Sequence, residues 1–169
     1  MLVGMPPGEL SPTERDSRPP ILTEAITSLV ELDEYTVERA YPPMKELRPH
    51  LGSPEEFAAL VQEQRPHGYR LVASLDTSGA AVAVAGFRFG RCLAWGRYLY
   101  VDDLSTMPHM RRRGHAGALL RWIETEAHRL GCTQIHLDSG TQRHDAHRRY
   151  LGSGYVISSL HFVKSPPEP

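Results

Sequence analysis

The chain has 169 residues, of which 40% are hydrophobic and 23% charged, as is typical of a single globular domain with a substantial core. Its formal net charge of -1 excludes a strong overall attraction to nucleic acid or to an anionic membrane, so any electrostatic function must come from a local cluster. No stretch approaches the roughly 18 apolar residues needed to span a bilayer, and prolines and acidic residues stand where a signal peptide needs an apolar core, which favours a cytoplasmic protein.

The organisation along the chain indicates one domain between two short polar ends. Residues 1–20 are rich in proline, and each proline removes a backbone donor and fixes φ, so we expect a flexible N-terminal extension there. The globular domain is predicted over residues 21–164, and residues 165–169 form a short tail.

The first predicted elements are helices. Over residues 23–41, apolar side chains recur at three-, four- and seven-residue steps, which predicts a helix that Pro42 and Pro43 end. Residues 44–51 are predicted as a second, short helix.

A third helix has a strong start signal at Ser53. Ser53 is placed to cap the helix, Pro54 occupies the first helical position, and Glu56 follows the cap by three residues, as in a capping box. Gly68 is predicted to end this helical region. The predicted buried side chains of the helix are Phe57, Leu60 and Val61.

Downstream of these helices, the spacing of apolar residues changes from the helical period to the period of two that is typical of strands. Strands are predicted over residues 69–75, 80–89 and 93–104, with a turn over residues 76–79. Residues 81–85 are small and apolar, as in a central strand that is buried on both faces.

The last third of the chain alternates helices and strands. Residues 114–130 have the clearest helical pattern in the sequence, and Gly131 provides its C-terminal stop. A strand over residues 133–138, a short helix over residues 146–151 and a last strand or strand pair over residues 155–163 complete the prediction. This order of elements predicts an α+β (mixed α/β) single domain.

The clearest helix opens on a basic, glycine-containing segment, residues 111–117, which we call the basic corner. A nucleic-acid patch is disfavoured because the cluster is short and no lysine or aromatic residue is interleaved with it. A nucleotide P-loop is disfavoured because no Lys-Ser/Thr pair follows the glycine. An anion site fits, since the first turn of a helix offers unpaired N–H groups, and Gly114 and Ala116 would let a diphosphate approach the backbone. An ordinary helix start with solvated arginines is the alternative.

The segment from Leu99 to Ala116 resembles the central acetyl-CoA motif of the GNAT N-acetyltransferase superfamily. That motif is a strand, a turn, and then Arg/Gln-x-x-Gly-x-Gly/Ala at the start of a helix. Arg111, Gly114 and Ala116 match its three defining positions. The resemblance implies the GNAT fold, whose central sheet is mixed, mostly antiparallel, splayed in the middle and flanked by helices.

A second motif supports the same resemblance. Ala146, Tyr150 and Gly154 have the family's spacing, with Tyr155 where the family has phenylalanine. The likeness covers residues 21–164 and is greatest to a bacterial subgroup with LYVDDL, RxxGxG, LDSG and AHRFY-like motifs. In one departure, Arg143 stands where many members have an asparagine that is expected to contact the cofactor.

The resemblance implies an acetyl-CoA-dependent N-acetyltransferase that transfers an acetyl group to a primary amine of a small molecule or peptide by direct attack on the thioester. The pantetheine arm is then expected to pair with the backbone of the strand ending near Leu104, and the diphosphate to lie on the amides of the basic corner. The implied cofactor-binding residues are Leu104, Ser105, Thr106, Arg111, Arg112, Arg113, Gly114, His115, Ala116 and Gly117.

Tyr150 and Asp102 are the catalytic residues that the resemblance implies. Tyr150 matches the family's general-acid position, and its hydroxyl is expected to protonate the departing thiolate, although a tyrosine that only packs in the core is the alternative. Asp102 is expected to assist deprotonation of the amine through water. Asp103 is the competing base, and strand alternation places it on the opposite face from Asp102.

Further side chains are candidates for contact with the acceptor. Asp138 and Ser139 end the strand across the splay, although a turn-forming role is equally consistent with them. His147 is a candidate proton relay beside Tyr150. His144 and His147 have helical spacing but no evident third ligand, so we expect no metal. The three aspartates around the expected site would suit a cationic acceptor.

A second class of function stays open at this point. A non-catalytic acyl-CoA-binding or regulatory module on the same fold would explain the missing asparagine and the unassigned base. The resemblance is also compatible with a homodimer, although the sequence contains no recognisable interface signal. No nucleic-acid or membrane partner is expected from the near-neutral charge balance.

Overall fold

The computed structural model of the protein describes residues 28–166, whose centre is a five-stranded sheet. The strands are β1 (Ser28–Leu32), β2 (Tyr69–Leu75), β3 (Ala81–Cys92), β4 (Gly96–Thr106) and β5 (Gln134–Leu137). They lie in sequence order, antiparallel except for the parallel pair of β4 and β5. The predicted α+β class with a mixed, mostly antiparallel sheet is confirmed. The predicted extension over residues 1–20 and the last three residues of the predicted tail lie outside the described residues.

In the described part of the chain, four helices flank the sheet. They are α1 (Tyr41–Leu47), α2 (Pro54–Gln64), α3 (His115–Arg129) and α4 (His144–Gly152). Three 3-10 turns connect elements, over Val37–Ala40, Arg65–His67 and Pro108–Met110. No helix within residues 28–166 is long and apolar enough to cross a membrane.

The core consists of two apolar clusters on opposite faces of the sheet. On one face, which we call the α1/α2 face, Met44 of α1 and Phe57 of α2 pack against Leu71 of β2. On the other, the α3 face, Leu119 and Ile123 of α3 pack with side chains of β2, β3 and β4. The small apolar residues predicted to form a central strand lie in β3, the middle strand, and are buried, as expected for a strand covered on both sides.

The N-terminal helix predicted over residues 23–41 is wrong over Ser28–Leu32, while Val37–Ala40 form a 3-10 turn and Tyr41 begins α1. Residues 28–32 form β1, which pairs antiparallel with β2, so pairing with the sheet has overridden a helical spacing of apolar residues. Pro42 and Pro43 do not end a helix but lie in the first turn of α1, where a missing N–H group costs no intrahelical hydrogen bond.

The start signal of α2 is confirmed in full. Ser53 Oγ accepts a hydrogen bond from the Glu56 backbone N–H at 3.2 Å, and Glu56 Oε2 accepts one from the Ser53 N–H at 2.7 Å. Phe57 and Val61 are buried as predicted. Leu60 is 44% exposed, so its predicted burial is wrong, because it lies off the stripe of α2 that faces the sheet.

The strand predicted over residues 155–163 is also wrong. Residues 155–166, which we call the C-terminal segment, form neither helix nor strand. The segment has strand-forming side chains, but β5 pairs only with β4 and no described strand pairs with the segment. Its large apolar side chains are each at least 77% exposed, and they are Val156, Ile157, Leu160, Phe162 and Val163.

The sheet opens between β4 and β5. Residues 98–101 of β4 pair with residues 134–137 of β5, and the pairing ends at Val101. β4 continues to Thr106, and within residues 28–166 the stretch 103–106 pairs with β3 alone. This gap, the splay, leaves one edge of β4 without a strand partner among the described residues, so its N–H and C=O groups are available to a ligand.

Candidate active site

Two cavities meet at the splay. The smaller cavity, of about 470 Å³, lies between the C-terminal ends of α1 and β5, and the larger, of about 1580 Å³, extends over the basic corner and α4. The residues that line both cavities are Leu47, Leu104, Gln142, Arg143 and Tyr150. A reaction between two bound molecules would therefore take place where these side chains meet.

The basic corner forms one wall of the larger cavity. Gly114 caps α3 with a φ of 94°, a left-handed conformation that glycine adopts without a Cβ clash, and Arg112 has a φ of 62°. α3 begins at His115, so the unpaired N–H groups of its first turn and the positive end of its dipole lie at this wall. The wall is therefore suited to an anion such as a diphosphate.

The candidate cofactor residues divide into two sets. Those that line the larger cavity are Leu104, Ser105, Thr106, Arg111, Arg112, Gly114, His115 and Ala116. Arg113 and Gly117 do not line it. An added Cβ at Gly117 would lie 3.5 Å from the guanidinium groups of Arg121 and Arg149, so this glycine leaves room for two arginines. His115 is buried, with Nδ1 2.8 Å from Ser74 Oγ, so its side chain belongs to the core.

Arg111 connects the basic corner to two other elements. Its guanidinium donates to Glu46 Oε1 of α1 at 3.0 Å and to the Thr106 carbonyl at the end of β4 at 3.3 Å. The side chain is more than half exposed, so each contact alone is weak. Together they hold the corner beside the free edge of β4.

The two aspartates of β4 lie on the same side of the sheet, which corrects the expectation that they point to opposite faces. The pairing shifts between Gly86 and Phe87, which lie opposite Asp103 and Val101, so Asp102 is the extra residue of a β-bulge. The bulge interrupts the alternation of side chains, and as a result both carboxylates face α1 and α2.

Each carboxylate is held by basic or phenolic groups. Asp102 Oδ2 accepts a hydrogen bond from Arg88 Nε at 2.8 Å. Asp103 Oδ1 accepts one from Arg48 Nε at 2.9 Å, and its Oδ2 accepts one from the Tyr69 hydroxyl at 2.8 Å. Asp102 lines the smaller cavity and Asp103 does not, so Asp102 is the better placed of the two to reach a bound molecule.

The protonation of this network follows from burial. Burial raises the pKa of Asp102, and the hydrogen bond and charge of Arg88 oppose that rise without cancelling it. Burial and the neighbouring Asp103 also raise the pKa of Tyr69, so this hydroxyl keeps its proton and acts as a donor. The glycine at position 86 leaves room for the hydrogen bond between Tyr69 and Asp103, because an added Cβ would lie 2.0 Å from the Tyr69 hydroxyl oxygen.

Tyr150 of α4 lies at the junction of the two cavities. Burial raises the pKa of its hydroxyl, and the positive charge of Arg143 acts in the opposite direction. Its ring meets the ring of Tyr155 edge-on, with the centroids 5.9 Å apart. Burial raises the pKa of Tyr155 to about 12, and its hydroxyl has no hydrogen-bond partner within residues 28–166.

Asp138 and Ser139 line the smaller cavity, on the far side of the splay from Asp102. Asp138 accepts a hydrogen bond from the Tyr100 hydroxyl, and its Oδ2 lies 3.0 Å from Nδ1 of His161 in the C-terminal segment. Ser139 Oγ is buried and has no hydrogen-bond partner in the described part of the chain.

The two histidines of α4 differ in their position relative to the two cavities. His147 Nε2 lies 3.0 Å from the Gly140 carbonyl, and the side chain lines neither cavity, so the structure does not bring His147 to the junction. His144 lines the larger cavity. No three His, Cys, Asp or Glu side chains of residues 28–166 are grouped so that they could hold a metal ion.

Sequence reasoning missed several side chains of the smaller cavity. Tyr100 precedes Asp102 by two residues on a strand, so the period-two alternation of side chains provides a signal that would have found it. Arg48 and His161 come from the end of α1 and from the C-terminal segment, where no motif marks them.

Comparison with known proteins identifies the family. The model of the acetyltransferase (GNAT) family matches residues 32–155. An uncharacterized N-acetyltransferase of Bacillus subtilis, YhdJ, is 32% identical over 126 residues, which cover 74% of this chain and 88% of that protein. The aminoalkylphosphonate N-acetyltransferase of Salmonella typhimurium is 37% identical over 65 residues, which cover 38% of this chain and 42% of that protein.

Solved structures with the same fold agree with this result. The aminoglycoside N-acetyltransferase AAC(6')-Iy, in complex with CoA, superposes with a TM-score of 0.72 at 13% identity, covering 82% of this chain and 93% of that one. An acetyltransferase of Trypanosoma brucei superposes with a TM-score of 0.69 at 18% identity, covering 82% of this chain and 99% of that one. The chain therefore belongs to the GNAT family of acetyltransferases.

Proposed function

We propose that the protein transfers an acetyl group from acetyl-CoA to a primary amine of a small molecule or peptide by direct attack on the thioester. The observation that carries this proposal is the meeting of two cavities at Tyr150, one over an anion-binding helix start and the other lined by Asp102 and Asp138. A CoA thioester in the larger cavity and an amine in the smaller one would place the reacting atoms together, and such proximity supplies much of the rate enhancement.

The larger cavity offers groups for two parts of CoA, the pantetheine arm and the diphosphate. The free edge of β4 at Leu104 to Thr106 offers backbone groups for the amides of the pantetheine arm. The first turn of α3, beginning at His115, offers N–H groups for the diphosphate. The fold neighbour AAC(6')-Iy was solved with CoA, which supports this ligand class.

In the proposed reaction, two side chains move the protons. As the C–N bond forms and the C–S bond breaks, the sulfur keeps the bonding electron pair, and Tyr150 donates its hydroxyl proton to it. Asp102 takes a proton from the amine through a water molecule. The raised pKa of Asp102 improves it as a base, since an unperturbed aspartate binds protons weakly near neutral pH.

The acidic limb of the pH profile tests the role of Asp102. We expect kcat/KM to fall as the pH falls through the pKa of this carboxyl, because its protonated form cannot accept a proton. Arg88 lowers that pKa, so Arg88→Gln should move the acidic limb to higher pH. Asp102→Asn should remove this limb and lower kcat about 100-fold.

Arg91→Gln is the matched control for Arg88→Gln, since Arg91 lies on the same strand but is exposed and lines neither cavity. Its pH profile should coincide with that of the wild type. An acidic limb that stays in place in Arg88→Gln, or that survives in Asp102→Asn, would assign the titration to another group.

A direct test of the function combines binding and turnover. Calorimetric titration with acetyl-CoA is expected to show binding, and a screen of primary amines is expected to show release of free CoA. The alternative is a non-catalytic acyl-CoA-binding or regulatory module on the same fold. Tight binding without turnover on any amine would establish that alternative.

The acceptor class is proposed from the charge of the smaller cavity. Asp102 and Asp138 provide negative charge that attracts an amine arriving as a cation, while Arg48 and Arg143 provide positive charge on the same walls. The Salmonella typhimurium relative acts on aminoalkylphosphonates and the fold neighbour on aminoglycosides, by their names, which supports a small amine as the first class to screen.

We further propose that two copies of the chain pair through the C-terminal segment. Its five exposed apolar side chains lie within eight residues and would remain in water in a monomer, and grouped exposed apolar residues mark interaction sites. The outer edge of β5 has no strand partner among the described residues and provides a place for the segment of a second copy.

Light scattering on the eluting protein tests this pairing. The wild type should have about twice the 18.9 kDa mass of one chain, and Phe162→Glu should weaken association at least tenfold, by analogy with other buried aromatic anchors. Leu93→Glu is the matched control, since Leu93 is also highly exposed but lies in the turn between β3 and β4. A monomeric wild type would contradict the proposal.

A further inference from the structure

Arg143 is the residue that departs from the family motif, and its charge has no acidic partner among residues 28–166. Its guanidinium forms no ion pair and no hydrogen bond within residues 28–166. Arg48, the other arginine of the smaller cavity, is by contrast paired with Asp103 at 2.8 Å. An uncompensated positive charge in a cleft exerts its field on whatever binds there.

Arg143 occupies the position where the two cavities join. It is the only charged residue among the described ones that lines both, and Tyr150 lines both as well. Arg143 precedes α4 and Tyr150 lies two helical turns further on, so both side chains are on the same side of that helix. The charge of Arg143 acts on the Tyr150 hydroxyl and opposes the rise in pKa that burial causes.

The other charged groups at the junction do not neutralise the positive charge of Arg143. Groups that face the junction from neighbouring elements are Glu46, Arg48, Asp102, Arg111, Arg112, Asp138, Tyr155 and His161, and those on α4 itself are His144, Asp145, Arg148 and Arg149. The acids among them already have partners: Glu46 pairs with Arg111, Asp102 with Arg88, and Asp145 with Arg148. Asp138 is likewise engaged by a phenol and an imidazole.

We propose that Arg143 stabilises the negative charge that develops on the sulfur of CoA as the C–S bond of the thioester breaks. The bonding electron pair moves to the sulfur, Arg143 balances its charge, and Tyr150 then supplies the proton that completes the thiol. A fixed positive charge at the site of charge development lowers the barrier without any reorganisation during the reaction. The proposal rests on the proposed function, since it assumes that CoA occupies the larger cavity.

The thiol of bound CoA reports this stabilisation without any acetyl transfer. The full-length protein carrying Cys92→Ala and Cys132→Ala serves as the reference, so that CoA holds the only thiol. With CoA bound, ultraviolet absorbance of the thiolate is followed against pH. We expect the thiol to be about tenfold more acidic on the reference protein than on the same protein with Arg143→Gln.

Three further variants make the result specific. Arg143→Lys keeps the charge and should retain most of the acidity. Arg121→Gln, which removes the charge of an exposed arginine of α3 outside both cavities, should leave the acidity unchanged. In turnover, Arg143→Gln should lower kcat about tenfold while the Kd for CoA changes less than about threefold.

Equal thiol acidity with and without Arg143 overturns the proposal. In that case, a weaker Kd for CoA would assign Arg143 to a phosphate contact, and a raised KM for the amine alone would assign it to the acceptor. A wild type that does not bind CoA overturns both this inference and the proposed function. A wild type that acidifies the thiol through Arg143 but acetylates no amine supports the charge assignment and defeats only the proposed reaction.

Discussion

Replacing Ala116 with glutamate is expected to weaken acetyl-CoA binding about 100-fold or more, with little loss of stability. Ala116 lies in the first turn of α3 and lines the larger cavity, so a carboxylate there would repel a diphosphate bound at the helix start. The same carboxylate interacts favourably with the helix dipole, so the fold should tolerate it. A 100-fold change in Kd is about 3 kcal/mol, within the range of close charge repulsion in a partly buried site.

Ala116→Gln is the matched control, because glutamine has the size of glutamate without its charge. Calorimetry on both variants separates the two causes: charge repulsion predicts a much larger loss for Ala116→Glu. Gly114 is a poorer place for this test, since its φ of 94° would strain any other residue even without a ligand. An unchanged affinity in Ala116→Glu would remove the basic corner from the cofactor site.

Replacing Tyr150 with phenylalanine is expected to lower kcat by about 100- to 1000-fold. The substitution removes the hydroxyl that would protonate the departing sulfur and leaves the ring in place, and general-acid catalysis by one side chain has this magnitude. The Kd for acetyl-CoA should change little, because the proton is needed only as the C–S bond breaks. Steady-state kinetics and calorimetry on the same preparation provide both values.

Tyr155→Phe is the natural control for this variant. Tyr155 packs edge-on against Tyr150, and its hydroxyl is buried without a hydrogen-bond partner in the described chain, so its removal should leave kcat nearly unchanged. Similar losses in the two variants would point to ring packing, and a fully active Tyr150→Phe would require a different proton donor.

Local signals account for the elements that were predicted correctly. The cap of α2 is made by Ser53 and Glu56, which are close in sequence, and the end of α3 is marked by Gly131 with a φ of 66°. The strands of the central hairpins have continuous apolar stretches and short turns. In each case, the interactions that decide the structure lie within a few residues of one another.

Long-range pairing accounts for the elements that were missed. β1 has the apolar spacing of a helix, and only its pairing with β2, some forty residues away, makes it a strand. The C-terminal segment has the composition of a strand but lacks a partner in residues 28–166. Neither outcome can be read from local propensity, because the deciding hydrogen bonds involve distant residues.

For the candidate site, motif spacing identified the basic corner and Tyr150, and the structure brings them around one cleft. The opposite orientation predicted for Asp103 failed because a bulge is set by pairing with β3, which a single strand sequence does not reveal. The sequence shows that Arg143 departs from the family motif. That its charge is uncompensated among residues 28–166 follows only from the positions of the side chains around the junction.

The bulge at Asp102 also adds a residue to β4 without changing the face that the flanking side chains occupy. Val101 and Leu104 both pack with the cluster on the α3 face although they are three positions apart, because Asp102 is inserted between them. Deleting Asp102 would restore regular alternation and leave Leu104 on the α3 face, two positions after Val101, so the core does not depend on the extra residue. The bulge therefore contributes to the candidate site and not to the core, because it adds a second carboxylate on the α1/α2 face while the strand on either side keeps its phase.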